Sequence, residues 1–433
     1  MPAADPAQDL PIGAAEPLTR SERLVEEFLS AAHLLAAHQL PELIAAHGRR
    51  LGLDGATAYL VDLQQDSLVP FVGEDGPGLQ QDPGPLSIDA TLAGRAFQHG
   101  TTLTQDLPPG RTRVWLPLLD GADRLGVLAV DAGREAIEHP ELLARLHRFA
   151  WLTARLVAGM TLSGDTLVRL RRRRTMGLAA EMQWSLLPPL TFACDRVSLT
   201  AVLEPAYDVA GDTVDYAVDA SFARVGVFDG MGHGLESAQL AALTVAAYRN
   251  ARRAGRSLVE IHRTMDEALG ASFGGVAFST AVLAELQTDT GRLEWISAGH
   301  PEPLLLRDGR LVKSLQVDPA LPLGLGHTAD PAGPAGVVEV GSEQLEPGDL
   351  VLFYTDGVTE ARAPDGDFFG PERLVDLISR HLAGGLPAPE TMRRVVRALL
   401  AHQQGQLSDD ATILLLEWRG AGGRADQRTP GRS

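Results

Sequence analysis

One cysteine, one lysine and one asparagine in 433 residues close off several chemistries at once. Cys194 stands alone, so neither an internal disulfide framework nor a Cys-x-x-Cys zinc or redox site can form, a usage that suits a reducing cytoplasm. Lys313 stands in no Gly-x-x-x-x-Gly-Lys-Ser/Thr pattern, which excludes a P-loop nucleotide site and Schiff-base chemistry with it. A long apolar run is missing too. The most apolar helical stretch, Phe149 to Leu162, is broken by Arg155 and falls short of the roughly 20 residues a bilayer requires. No basic segment followed by an apolar core opens the chain, so the expectation is a soluble, cytoplasmic protein without a secretory signal.

What is abundant is negative charge. Asp and Glu number 56 against 38 Lys and Arg, and the net charge of -18 disfavours nonspecific contact with nucleic acid or an anionic membrane. The 45% hydrophobic and 22% charged fractions are those of a globular protein, and 433 residues exceed one typical domain of roughly 150, so two cores are expected. Residues 1–20 carry Pro2, Pro6, Pro11 and Pro17 among small residues and are expected as a disordered tail, as are residues 419–433.

From Ser21, a plausible N-cap, the positions Leu24, Phe28, Leu35, Leu40 and Ile44 have helical spacing. A hairpin follows over Ala56–Leu63 and Ser67–Val72, then a short helix near Leu92–Gln98, a second hairpin over Val114–Leu119 and Leu125–Val130, and a closing helix from Pro140 to about Gly159. This order, with its Leu116-Pro117-Leu118 and Leu125-Gly126-Val127-Leu128-Ala129-Val130 ending, resembles a GAF sensory domain over residues 21–160. The resemblance implies a small-molecule or protein signal. No cysteine precedes residue 194, which excludes a thioether-linked bilin. Asn250 is the sole asparagine, which excludes the Asn-Lys-Phe-Asp-Glu signature of cyclic-nucleotide GAF domains.

Residues 161–187 are expected as one linker helix that relays the sensor's state. The run Arg169-Leu170-Arg171-Arg172-Arg173-Arg174 reads foremost as a solvated helix face, ahead of contacts to an acidic partner or second subunit, and nucleic acid comes last. Leu178, Met182 and Leu186 at i, i+4 spacing read as packing residues, with a homodimer seam left open because no heptad persists. From 188 to 418, strand runs at Leu199–Leu203, Arg224–Phe228, Phe278–Glu285, Leu293–Ile296, Leu350–Tyr354 and Ile413–Leu416 alternate with long helices at Leu235–Ala254, Leu258–Leu269, Glu372–His381 and Glu390–Gln403. That pattern predicts an α/β sandwich, and the whole chain an α+β class.

Four aspartate motifs mark this second half: Ala210-Gly211-Asp212-Thr213-Val214-Asp215, Asp229-Gly230-Met231-Gly232-His233-Gly234, Thr355-Asp356-Gly357 and Asp409-Asp410-Ala411-Thr412. One Asp-Gly alone is ordinarily a turn. Four set against strand ends point instead to hard divalent cations, which take oxygen ligands in near-octahedral array. If the Ile413–Leu416 strand runs antiparallel to the Leu350–Tyr354 strand, Asp356 and Asp409 meet at one edge.

The set resembles the PPM-type metal-dependent serine/threonine phosphatases, in the bacterial branch of sporulation and stress-response regulators, over about residues 180–418. Met182-Gln183-Trp184-Ser185-Leu186-Leu187-Pro188 and Ser297-Ala298-Gly299-His300-Pro301 share in the likeness. The resemblance implies two manganese or magnesium ions bridged by Asp229, with Asp212 and the Gly230 carbonyl on one side and Asp356 and Asp409 on the other. It leaves Asp410 less clearly a ligand, and Asp215 and His300 structural. It implies a metal-activated water attacking the phosphoserine or phosphothreonine of a regulatory phosphoprotein, such as an anti-sigma-factor antagonist. His233 is a candidate proton donor or a plain loop histidine. The rival reading is a catalytically silent scaffold that holds a phosphoprotein, against which the retained aspartates argue.

Overall fold

The computed structural model describes residues 19–73, 84–204, 207, 211–326, 338–405, 407 and 409–422. Of the tails expected at 1–20 and 419–433, residues 1–18 and 423–433 lie outside the described residues, as does Ala210 of the first aspartate motif.

The chain enters through α1 (Arg20–Ala32) and α2 (Leu40–Arg50). Thr19 rather than Ser21 caps α1: its hydroxyl accepts from the Glu22 N–H, and the Glu22 carboxylate accepts from the Thr19 N–H in return. Then come β1 (Gly55–Val61), β2 (Ser67–Phe71), β3 (Leu86–Ser87), α3 (Leu92–His99), β4 (Leu103–Leu107), β5 (Arg111–Asp120), β6 (Asp123–Gly133), α4 (Arg134–Ile137) and α5 (Pro140–Met160). The strands form one antiparallel sheet in the order β3-β2-β1-β6-β5-β4. Side chains alternate faces along a strand. Ala58 and Leu60 therefore meet Phe28, Ile44 and Phe149 of α1, α2 and α5, while Tyr59 and Val61 meet Ala93 and Phe97 of α3. A sheet covered on both faces reads as an unbroken apolar run.

The stretch expected as one bridging helix is two short ones, α6 (Asp165–Arg171) and α7 (Leu178–Leu186). Its arginines are a solvated face only in part: Arg169, Arg173 and Arg174 are exposed, yet most of the run also makes contacts within the fold. Arg171 Nε donates to the Val61 carbonyl at 3.0 Å, Arg172 pairs with Glu181, Arg173 reaches Asp62 at 3.4 Å, and Arg174 stacks over Tyr207 at 4.7 Å. The run fastens the N-terminal sheet to the C-terminal half of the chain.

Next are β7 (Thr191–Ala193), β8 (Val197–Glu204), β9 (Asp212–Val218), β10 (Phe222–Gly230), α8 (Leu235–Arg253), α9 (Leu258–Phe273), β11 (Ser279–Gln287), β12 (Arg292–Ala298), β13 (Leu304–Arg307), β14 (Arg310–Ser314), β15 (Gly341–Gln344), β16 (Leu350–Tyr354), α10 (Asp356–Thr359), α11 (Pro371–Ala383), α12 (Ala388–His402) and β17 (Ala411–Trp418). Two antiparallel sheets, β15-β12-β11-β10-β9 and β14-β13-β16-β17-β8-β7, pack face to face, and the result is an α+β sandwich of four layers. Val225, Val227, Val351, Phe353, Leu414 and Leu416 fill the space between the sheets. Phe228, of opposite parity, joins α8 and α9 outside the first sheet, and α11 and α12 cover the second.

The N-terminal unit also grips α12. Glu390, wholly buried, accepts from Arg124 Nη1 at 3.2 Å, Arg393 Nη2 at 2.9 Å and Arg394 Nε at 2.9 Å, while Arg393 and Arg397 reach back to Asp89. Among the described residues no helix is long and apolar enough to cross a membrane.

Candidate metal centre

Strand parity explains where the acidic side chains go. Val225, Val227 and Asp229 share one face of β10, and Asp212 lies directly opposite Asp229 in the register of β9 and β10. Two carboxylates facing each other across an antiparallel pair repel, so fold stability alone does not favour the pairing. On the other sheet, Val351, Phe353 and then Thr355 share a face, as do Leu416, Leu414, Thr412 and Asp410 running back along β17. Strands β16 and β17 are antiparallel, with Tyr354 opposite Ile413, so Asp356 and Asp409 emerge at the same edge. The dry space between the sheets thus ends in a polar knot to which both sheets contribute.

Close backbone approach at that edge requires glycine at two points. A methyl on Gly211 would stand 1.8 Å from the Gly230 carbonyl oxygen, and one on Gly357 would stand 1.8 Å from the Asp410 carbonyl oxygen. The loop after β10 then turns through Gly232 and Gly234 at positive φ, 87° and 77°, before α8 begins.

A cleft of about 870 Å³ opens there, lined by Asp229, Gly230, Met231, His233, Thr280, Asp356, Asp409 and Asp410, and on its far side by Gly177, Leu178 and Ala180. Burial pushes the Asp229 carboxyl up to about 6, with Asp356 and Asp409 adding like charge. Asp356 is raised by burial and by Asp409. Asp212, 2% exposed, is turned inward: its Oδ2 accepts from Thr355 Oγ1 at 2.7 Å, and its backbone N–H points to Asp410 Oδ2 at 3.4 Å. Burial, then Asp229 and Asp410, holds Asp212 well above the ordinary carboxylate range. The cleft therefore brings together Asp229, Gly230, Asp356 and Asp409, adds Asp410, and leaves Asp212 one layer behind.

Do these residues fit a hard divalent cation? Among the described residues no three such side chains already converge as a finished cage. The donor chemistry fits nonetheless: after burial, the charges of Asp356 and Asp409 raise the proton affinity of Asp229, the charge of Asp409 raises that of Asp356, and no arginine or lysine is among the described residues of the cleft wall to neutralise them. Crowded oxygen donors short of positive charge match what magnesium or manganese takes.

Several contributors went unread in the sequence. The packing face expected at Leu178, Met182 and Leu186 is instead Ala180 and Gln183, and Leu178 is 66% exposed at the cleft. Strand β9 is a sheet edge whose outward-facing carbonyls lack strand partners, and buried Gln183 supplies one donor, from Nε2 to the Asp212 carbonyl. Arg249 of α8 ties Asp215, at 2.7 Å, to the Leu186 carbonyl, fixing the end of α7. His300 is buried against Thr280 Oγ1 at 2.9 Å, and burial pushes its imidazole down to about 3, so it is neutral. A glutamine inside an apolar helix face was the one signal that could have found Gln183.

The region matches known proteins. Residues 221–419 match the family model described as stage II sporulation protein E. The chain is 24% identical to the phosphoserine phosphatase RsbU of Bacillus subtilis over 240 residues, 55% of this chain and 68% of that one. It is 26% identical to the phosphoserine phosphatase RsbP of the same organism over 259 residues, 58% of this chain and 59% of that one. Among solved structures, the SiaA-PP2C domain of Pseudomonas aeruginosa is 24% identical, with a TM-score of 0.47, covering 55% of this chain and 94% of that domain. The chain is thus related to the PPM/PP2C-type phosphatases of the RsbU, RsbP and SpoIIE branch.

Proposed function

We propose that this protein is a manganese- or magnesium-dependent phosphatase acting on a phosphoserine or phosphothreonine of a regulatory protein, of the kind represented by anti-sigma-factor antagonists. The observation that carries this reading is the mutual crowding of Asp229, Asp356 and Asp409 in an open cleft without a neutralising side chain on its described wall. Two such ions, when bound, supply an easily deprotonated water and charge neutralisation for the phosphoryl oxygens.

The chain's own part is to hold and aim. Asp229 and the Gly230 carbonyl would offer oxygens from the first sheet and Asp356 and Asp409 from the second, with Asp212 one layer behind them and one of its oxygens held by Thr355. Rigid strand ends keep these donors from relaxing apart. The open cleft admits a protein-borne phosphate rather than closing over a small molecule. Cys194 lies outside these motifs, and no covalent nucleophile is required.

In the same proposal, residues 21–160 are a GAF-like sensor, and α6 and α7 carry its state to the cleft. Support comes from Gln183 on the Asp212 carbonyl and from Gly177, Leu178 and Ala180 on the cleft wall. The test is manganese-dependent release of phosphate from a phosphoserine protein by wild type and Asp229→Asn. Wild-type turnover with loss of at least about 100-fold in the variant is expected. A wild type that binds the phosphoprotein yet releases nothing with any divalent metal would instead favour the silent scaffold.

A further inference from the structure

We infer that Thr355 is a positioning residue for the metal centre: its hydroxyl holds one oxygen of Asp212 and so sets where the other oxygen can act. The inference rests on the metal-dependent reading above and goes beyond it, to a residue that the aspartate motifs leave as a neighbour.

The local sequence makes the position unexpected. Thr355 is the N-cap of α10, where a threonine hydroxyl ordinarily accepts a hydrogen bond from its own helix's N–H groups. Here it makes no such cap. The hydroxyl is spent across the sandwich, donating to Asp212 Oδ2 at 2.7 Å and accepting from the Thr412 N–H at 3.0 Å. Thr355, Thr412 and Asp212 are all buried, the two threonines completely, so water has little access to replace either bond.

The geometry joins three strands from two sheets at one oxygen atom. Asp212 opens β9 in the first sheet, and Thr355 and Thr412 flank the ends of β16 and β17 in the second. Hydroxyl donation leaves Asp212 as the acceptor and commits its Oδ2, at the register position directly opposite Asp229. A carboxylate free to rotate would sample orientations useless to a cation. Removing such an outer hydrogen bond typically costs roughly 10–100-fold in metal affinity.

The experiment is calorimetric titration of MnCl₂ into the metal-free full-length protein, as wild type, Thr355→Val, Thr355→Ser, Asp212→Asn and the Thr355→Val/Asp212→Asn double variant. Valine keeps the volume and removes the hydroxyl; serine keeps the hydroxyl and removes the methyl. The expected result is affinity weakened roughly 10–100-fold in Thr355→Val, nearly restored in Thr355→Ser, and no further loss when Thr355→Val is added to Asp212→Asn. Should the valine variant fail to fold, Thr355→Ala carries the same comparison. Wild-type affinity in the hydroxyl-free variant, equal loss in the serine variant, or independent losses in the double variant would each overturn the inference. A wild type that binds no manganese would overturn the metal-dependent reading itself, which separates the two failures.

Discussion

Removing the Glu390 side chain should unlock the N-terminal unit from α12. The carboxylate is wholly buried and receives hydrogen bonds from Arg124, Arg393 and Arg394 at 2.9–3.2 Å. Burial alone would raise its proton affinity, but Arg393, Arg394 and Arg124 outweigh this and hold it below the usual value of 4.5. Glu390→Ala leaves Arg124, whose side chain is 6% exposed, without its carboxylate, though Gln98 and Gln65 still accept from it at 3.3 and 3.2 Å. Breaking a buried pair from one side costs about 3–5 kcal/mol, and the surviving acceptors place this case near the lower end, about 3 kcal/mol. That is roughly a hundredfold in the equilibrium between docked and undocked forms at ~1.4 kcal/mol per decade. Urea unfolding of the metal-free protein reads it directly. Glu390→Leu with Arg124→Met should recover the share of the loss that belongs to Arg124, while Arg393 keeps its pair with Asp89. A cost for Glu390→Ala below about 1 kcal/mol, the range of exposed pairs, would refute the picture of a desolvated clasp. The sign with pH is fixed as well: with its folded value depressed, Glu390 contributes stability above pH 4.5 that is lost as pH falls through the folded value.

A second pH effect belongs to His47, 5% exposed between the rings of Phe28 and Phe149 at 4.7 Å each and pushed by burial from 6.5 down to about 4. Its stabilisation is present above pH 6.5 and is lost as pH falls toward 4, so it accounts for about 2 kcal/mol between pH 7 and pH 5; denaturation of His47→Leu at both values should lack that share. Gly357→Ala forces a methyl against the Asp410 carbonyl and should cost about 1–3 kcal/mol while lowering manganese affinity. Gly232→Ala, strained at φ +87° but in open space, should cost about 1–2 kcal/mol. Calorimetry compares the two, and wild-type affinity in Gly357→Ala would contradict the stated geometry of that edge.

Long periodic elements were legible in the sequence to within a few residues: α8 was expected over Leu235–Ala254 and runs over Leu235–Arg253, and α12 was expected over Glu390–Gln403 and runs over Ala388–His402. Short polar edge strands were not. Strand β14 is Arg310-Leu311-Val312-Lys313-Ser314 with its first four residues exposed, so no burial alternation marks it. The aspartate motifs were visible because strand ends announce themselves by glycine; the face on which Asp229 lies came only with the strand register. Gln183, Thr355 and Arg249 escaped because each acts on a residue 29 to 143 positions away, and each has a nearer, ordinary use as a helix residue or cap. The arginine run's tertiary contacts escaped for the same reason. Its acceptors, Val61 at the end of β1 and Asp62 just beyond it, lie more than a hundred residues earlier, and local pattern carries no trace of them.

The central claim is that Asp229, Asp356 and Asp409 converge on divalent cations. Anomalous diffraction from crystals of the full-length protein equilibrated with MnCl₂ tests it most directly. The account predicts manganese peaks in the cleft, with Asp229 touching more than one of them and Asp356 and Asp409 oxygens at about 2.0–2.3 Å. Peaks confined to other acidic surfaces, with none against Asp229 at manganese concentrations that support phosphate release, would contradict it.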